Sequence, residues 1–214
     1  MSRSRVILLD LDGTLVDSEP GILSSCRAAL RILGHDTDPE MNIASIIGPP
    51  IEDVMRYLLQ QFGDDRVAAG VEAYRADYGA RGLLLSELYD GIGDALATLH
   101  GTGAALYLAT SKRAVFARKI LDNKELTGLF AGIYGSVPDL NIDHKPELIA
   151  HILAENNLQA DQCVMVGDRK FDIAGAHANG MRALGVLWGY GSREELEAAG
   201  ADGLLQSPAD LAGL

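Results

Sequence analysis

Two carboxylates stand two positions apart in the run Val6-Ile-Leu-Leu-Asp10-Leu-Asp12-Gly13-Thr14. An extended backbone turns alternate side chains to one side, so Asp10 and Asp12 can face a common point. Carboxylates that close repel one another unless a cation or a shared proton offsets them. Mg²⁺ would do so, since that ion prefers hard oxygen ligands. Gly13 permits a tight turn after the pair, and Thr14 can bond the backbone of that turn or cap the next element. The chain has only five lysines, Lys112, Lys119, Lys124, Lys145 and Lys170, so a lysine beside a candidate site carries more information than usual.

Those carboxylates need a scaffold, and the sequence supplies one. Apolar runs suited to buried strands recur at Val6–Leu9, Ala104–Ala109, Gly132–Tyr134, Cys163–Val166 and Ala183–Leu187. Little polar alternation within each run suits strands covered on both faces, as in a parallel sheet. Between them lie helical patterns at Ile92–Leu99, Ala114–Leu121, Pro146–Ala154, Asp172–Asn179 and Glu194–Ala199. Pro146 suits a first helical turn, where its missing N–H costs nothing. This alternation predicts an open α/β sheet. Asp10 and Asp12 then fall at the C-terminal end of the first strand, the edge where such sheets bind ligands.

From Val16 to about Leu85 the rhythm changes to helical periodicity with no convincing buried strand. Ile22, Leu23, Cys26, Leu30 and Leu33 form one helical face, closed by Gly34. Ile51, Val54, Met55, Leu58, Leu59 and Phe62 form a second, closed by Gly63. A third carries Val67, Val71, Tyr74 and Tyr78, with Asp64 or Asp65 as its expected cap. The expected division is a core of residues 1–16 and 86–214 and an inserted helical bundle at 17–85.

The run Val6-Ile-Leu-Leu-Asp10-Leu-Asp12-Gly13-Thr14-Leu15-Val16-Asp17-Ser18 resembles the first motif of the haloacid dehalogenase superfamily of phosphatases. The resemblance implies a Rossmann-like three-layer α/β sandwich around a central parallel sheet, with strand one central and the helical insert a mobile cap. It implies that Asp10 is the nucleophile that becomes an aspartyl phosphate. Asp12 would protonate the leaving oxygen and then activate water, its backbone carbonyl helping to hold Mg²⁺. Splitting one hard displacement into two is the usual gain of covalent catalysis. The acid of the first step serves as base in the second.

Three further segments match the superfamily in order. Thr110 ends Leu106-Tyr-Leu-Ala-Thr110-Ser111-Lys112 and would bond a phosphate oxygen, with the Ser111 backbone N–H at a helix N-terminus as a second donor. Lys145, in Asp143-His144-Lys145-Pro146-Glu147, would neutralise the phosphoryl oxygens and Asp10. In Val164-Met165-Val166-Gly167-Asp168-Arg169-Lys170-Phe171-Asp172, Asp168 would join Asp10 and Asp12 as a Mg²⁺ ligand, while Asp172 would orient Lys145 or a metal water. Gly13 and Thr14 complete the implied phosphate-binding set. Gly48-Pro49-Pro50 and the segment from Gly185 to Asp202 are similar to the phosphoglycolate phosphatase-like branch. There the Gly48 segment faces substrate, and Arg56 is a further cap candidate. Arg169-Lys170-Phe171 departs from the smaller polar residues common in that branch, which leaves substrate identity open.

Composition narrows the remaining choices. The 214 residues carry 18 Lys+Arg against 30 Asp+Glu, a formal charge of −12, which disfavours nucleic acid as a partner. No stretch approaches the ~20 apolar residues of a membrane span. No signal-peptide core precedes Asp10. Cys26 and Cys163 are too few for a disulfide framework. The expectation is a cytoplasmic monomer or homodimer acting on a small phosphorylated metabolite. The five histidines are scattered; Trp188 and Tyr190, beside Gly189 and Gly191, could frame a loop near the site, with packing the preferred reading; and the acidic segment Glu194–Asp210 is read as a solvated face.

The function expected is Mg²⁺-dependent hydrolysis of a small phosphomonoester, phosphoglycolate phosphatase-like. A nucleotidase, a sugar-phosphate phosphatase or a β-phosphoglucomutase-like mutase would use the same aspartates. From another class, a phospho-accepting signalling receiver also gathers acidic residues, Thr/Ser and Lys at strand ends, but has no helical insert.

Overall fold

The computed structural model describes residues 5–36, 39–137 and 142–214. The chain divides into two compact units, Met1–Asp17 with Leu88–Leu214, and Ser18–Glu87.

The first unit opens with β1 (Val6–Leu9), a turn, and the two-residue strand β2 (Val16–Asp17). Ser18–Glu87 contains α1 (Glu19–Ile32), α2 (Ile43–Ile46), α3 (Ile51–Gln60) and α4 (Val67–Ala80). The chain returns through β3 (Glu87–Leu88) and α5 (Ile92–Gly101). Next come β4 (Ala105–Arg113), α6 (Ala114–Asn123), β5 (Gly132–Ser136) and α7 (Lys145–Glu155). β6 (Cys163–Gly167), α8 (Lys170–Ala178), β7 (Arg182–Val186), α9 (Arg193–Ala198) and β8 (Leu204–Leu205) complete it.

Among the described residues the main sheet has the order β5-β4-β1-β6-β7-β8, and all of its pairs are parallel. β1 is therefore central, with β4 on one side and β6 on the other. This α/β architecture is the one the alternating pattern predicts. Ile7, Leu8 and Leu9 are all fully buried, as strands covered on both faces require. Leu8, Met165 and Ala183 pack with Leu148, Ile149 and Ile152 of α7 and Ile173 and Ala176 of α8 in one apolar cluster. Strand alternation turns Ile7 and Leu9 to the opposite layer. That packing fixes the strand ends, and with them the side chains just beyond.

Three local expectations are corrected, and two short elements are added. β4 continues to Arg113 instead of stopping at Ala109, because the chain stays extended past a register shift and pairs again at Arg113 with Ser136. Val16–Asp17, inside the interval expected to lack strands, forms a two-residue strand, and β8 and α2 had no clear signal in sequence. α4 is preceded by Arg66 and not by an aspartate cap; Asp64 Oδ1 accepts the Arg66 backbone N–H at 2.9 Å from outside the helix.

The helical unit has its own core, with Ile22, Cys26, Leu30, Val54, Met55, Leu58, Leu59 and Tyr78 buried. Polar ties reinforce it: Arg75 pairs with Glu52 at 2.7 Å, and Ser25 Oγ donates to Asp77 at 2.7 Å. Both cysteines are free and buried. No helix among the described residues is long and apolar enough to cross a membrane.

Candidate active site at the carboxyl edge of the sheet

Three adjacent strands, β4, β1 and β6, deliver Thr110, Asp10 and Asp168 within or just beyond their carboxyl ends. The Asp10 backbone N–H donates to Val166 O at 3.0 Å, which carries the β1–β6 ladder one residue further. Asp10, Asp168 and Asp172 are all buried, and each offers a carboxylate oxygen within 4.8 Å of the others. Asp172 reaches the cluster from the first turn of α8, where its Oδ2 accepts the Arg169 backbone N–H at 3.0 Å.

Lys145 answers part of this charge. Its Nζ lies 2.8 Å from Asp10 Oδ1 and 2.6 Å from Asp172 Oδ1, and it donates to Ala109 O at 2.7 Å. Two ion pairs and one hydrogen bond thus surround the ammonium. Lys145 opens α7, with Pro146 next in the first turn. A cation at a helix N-terminus opposes the helix dipole. The two carboxylates offset that cost. Burial opposes the charged ammonium, yet Asp10 and Asp172 hold the Lys145 pKa above its ordinary value.

Asp168 is placed differently. Its Oδ2 accepts the Tyr190 backbone N–H at 2.8 Å, and its Oδ1 is buried with no hydrogen-bond partner among the described residues. Gly13, at φ +83°, sits so close that a Cβ there would stand 2.1 Å from Asp168 Oδ2. Burial pushes the Asp168 pKa well up, and Asp172 and Asp10 push it further. Burial also raises Asp10, to about 6, with Lys145 pulling the other way. An all-oxygen cluster in which Asp168 Oδ1 has neither a hydrogen bond nor a cation beside it, with raised proton affinity, fits a hard divalent cation.

The other residues singled out in the sequence are placed less uniformly. The Asp12 carboxylate is not one of the three clustered ones; its Oδ1 lies 2.7 Å from Lys112 Nζ. Thr110 is buried, and its Oγ1 accepts the Lys112 backbone N–H at 3.3 Å. Ser111 lies inside β4, before the Arg113 that precedes α6, so its N–H is not at a helix N-terminus; the extension of β4 is the reason. Thr14 Oγ1 does not bond the turn backbone and is buried without a partner among the described residues. Gly48 takes φ +114°, and Arg56 is exposed and paired with Asp53 at 2.6 Å; both belong to the helical unit.

Sequence reasoning ranked too low or missed several groups around this edge. Trp188 and Tyr190 do more than pack: Trp188 Nε1 donates to Thr14 O at 3.0 Å, and the Tyr190 hydroxyl donates to Asp17 Oδ1 at 2.8 Å. Their signal was weak, two aromatics between glycines. Glu195, inside the segment read as a solvated face, instead pairs with the buried Arg169 at 2.9 Å. Lys112 did leave a signal, as a scarce lysine two positions after Thr110.

Comparison with known proteins points to one family. The family model described as haloacid dehalogenase-like hydrolase matches residues 7–186. A 5'-nucleotidase of Pseudomonas aeruginosa is 42% identical over 194 residues, covering 90% of this chain and 86% of that protein. The tyrosine-protein kinase PtkA of Mycobacterium tuberculosis is 40% identical over 194 residues; the match covers 90% of this chain but 65% of that protein. A phosphoglycolate phosphatase of Aliivibrio fischeri is 32% identical over 201 residues, covering 90% and 88%. The crystal structure of a predicted phosphatase from Clostridium acetobutylicum superposes with a TM-score of 0.89 at 32% identity, covering 99% of this chain and 98% of that one.

Proposed function

This chain belongs to the haloacid dehalogenase-like hydrolase family, and we propose that it is a Mg²⁺-dependent phosphatase hydrolysing a small phosphomonoester through an aspartyl phosphate on Asp10. The observation that carries this reading is the buried cluster of Asp10, Asp168 and Asp172, to which Lys145 supplies one positive charge while Asp168 Oδ1 stays unpaired.

Asp10 is the nucleophile. Lys145 holds its carboxylate in one orientation and favours its ionised form. A carboxylate oxygen of Asp10 bonds to phosphorus as the ester oxygen leaves, and Asp12 gives that oxygen its proton. Asp12 then takes a proton from the water that attacks the aspartyl phosphate, which frees Asp10 and releases phosphate. Lys112 anchors the Asp12 carboxylate during both transfers. The Thr110 hydroxyl and the backbone at Gly13, Thr14 and Ser111 are the donors proposed for the phosphoryl oxygens. Asp10, Asp168 and the Asp12 carbonyl would hold Mg²⁺, which when bound offsets the carboxylate charge and polarises the phosphoryl oxygen. Asp172 acts through Lys145. The helical unit is read as a cap that contributes substrate contacts, with Gly48 and Arg56 as candidates.

Two substrate classes compete. Hydrolysis of phosphoglycolate or a similar small organic-acid phosphate is the expectation from the branch resemblance. Hydrolysis of nucleoside monophosphates is favoured by the higher identity to the 5'-nucleotidase, 42% against 32% for the phosphoglycolate phosphatase. Phosphate release across a panel of both classes, with Mg²⁺ and with chelator, separates them. Asp10→Asn is expected to lower turnover of the best substrate by at least about 10³-fold. Release that survives that substitution or is indifferent to chelation defeats the reading.

A further inference from the structure

Arg169 comes directly after Asp168 and is buried to 2% exposure. A guanidinium removed from water is costly unless its charge is met in good geometry. Glu195 of α9 meets it: Arg169 Nε donates to Oε1 at 2.9 Å, and Nη2 lies 3.5 Å from Oε2. The same Oε1 accepts the Lys170 backbone N–H at 3.0 Å. One carboxylate therefore ties the two residues after Asp168 to α9. Ser192 Oγ accepts the Glu195 backbone N–H at 3.1 Å and fixes the start of that helix.

The chain between β7 and α9 is the loop that grips Asp168. Its Tyr190 N–H bonds Asp168 Oδ2 at 2.8 Å. Its glycines press close: a Cβ on Gly189 would stand 2.4 Å from Asp168 Cβ, and one on Gly191 would stand 1.9 Å from Asp168 O and 3.4 Å from Arg169 Cδ. At its start, Trp188 Nε1 bonds Thr14 O. The loop is thus tied at one end to the turn after β1 and at the other, through Glu195, to the residue next to Asp168.

We propose that the Arg169–Glu195 ion pair is a positioning device for divalent-cation binding, holding the Trp188–Gly191 loop against Asp168 so that Oδ2 stays on the Tyr190 amide and Oδ1 stays available to the cation. This rests on the reading of Asp168 as a cation ligand. Without the clamp, α9 and the loop can draw back, and the Asp168 carboxylate gains rotamers it must lose again on binding. Residues that orient metal ligands typically change affinity about 10–100-fold when altered.

Calorimetric titration of Mg²⁺ into the full chain tests the clamp apart from catalysis. The comparison uses the parent, Arg169→Lys, and the double substitution Arg169→Met with Glu195→Leu, each also unfolded in urea without metal. Replacing a buried ion pair by apolar side chains of similar size is often neutral for stability, so the double variant is expected to unfold at a similar urea concentration. Its Mg²⁺ dissociation constant is expected to rise about 10-fold or more, with part of the loss recovered in Arg169→Lys, and KM for Mg²⁺ changing more than kcat. A folded double variant that binds Mg²⁺ as tightly as the parent overturns the positioning role and leaves the cation reading intact. A parent that binds no Mg²⁺ overturns both.

Discussion

The two sides of the buried acidic cluster are compensated in opposite ways. On one side, Asp10 and Asp172 share the charge of Lys145, each at ion-pair distance. On the other, Asp168 has a single backbone amide on Oδ2, a bare Oδ1 and glycines packed around it. The first side is a closed network within the protein. The second is complete only when something positive arrives. The difference locates the missing charge: a second lysine at Asp168 would make the whole cluster self-sufficient and remove its need for a cation.

The strongest way to break the contrast is to open the closed side. Lys145→Met leaves Asp10 and Asp172 buried together without a cation. Removing one partner of a buried pair costs about 3–5 kcal/mol, so urea unfolding at pH 7.5 should register a loss of that order, with turnover lower by about 10²-fold or more. A variant as stable as the parent would mean that Lys145 is not what holds the two carboxylates.

Protons sharpen the comparison next. Asp10 has a folded-state pKa near 6 against an ordinary 3.8. The native state therefore binds more protons than the unfolded chain between those values, and stability falls as pH rises through that window. Chelated protein is thus expected to melt at a higher temperature at pH 5 than at pH 7.5. Saturating Mg²⁺ should flatten that slope, since cation and proton compete for the same oxygens. An equally steep slope with and without Mg²⁺ would place the titrating group elsewhere.

The smallest effect belongs to the open side. Asp168→Asn replaces a buried carboxyl whose ionisation its surroundings already oppose, so the metal-free variant should melt no lower than the metal-free parent. It should also lose the stabilisation by Mg²⁺ that the parent shows in thermal melts. If the variant melts much lower, Asp168 is a structural residue and the two sides are alike.

How much of this was legible in the sequence depends on the distance over which each feature is decided. β1, β6 and β7 show as apolar runs because burial on both faces leaves little room for polar residues. The central place of β1 was expected from resemblance and is observed, with β6 beside it. The end of β4 did not show, because Thr110-Ser111-Lys112-Arg113 is polar and its extension is decided by pairing with Ser136 on another strand. That misjudgement moved Ser111 to a helix start it does not occupy. Within the site, Asp10 stands out by its local pattern, and Lys145 and Asp168 by the resemblance of short motifs to the superfamily. The partner of Asp12 is 100 residues away, and Arg169 meets Glu195 across 26. Contacts of that kind are set by packing of elements and leave no periodic trace. The scarcity of lysine was the one clue, and it applied to Lys112 as much as to Lys145.

Trp188 carries a consequence of another kind. It is the one tryptophan of the chain, and its indole N–H is bonded to the carbonyl of Thr14. The ultraviolet emission of the whole protein selected at the red edge of excitation therefore comes from a single address, the turn that holds Asp12, Gly13 and Thr14. Any event that loosens or tightens that turn is written into one spectrum without a label, and the protein reports on its own active edge.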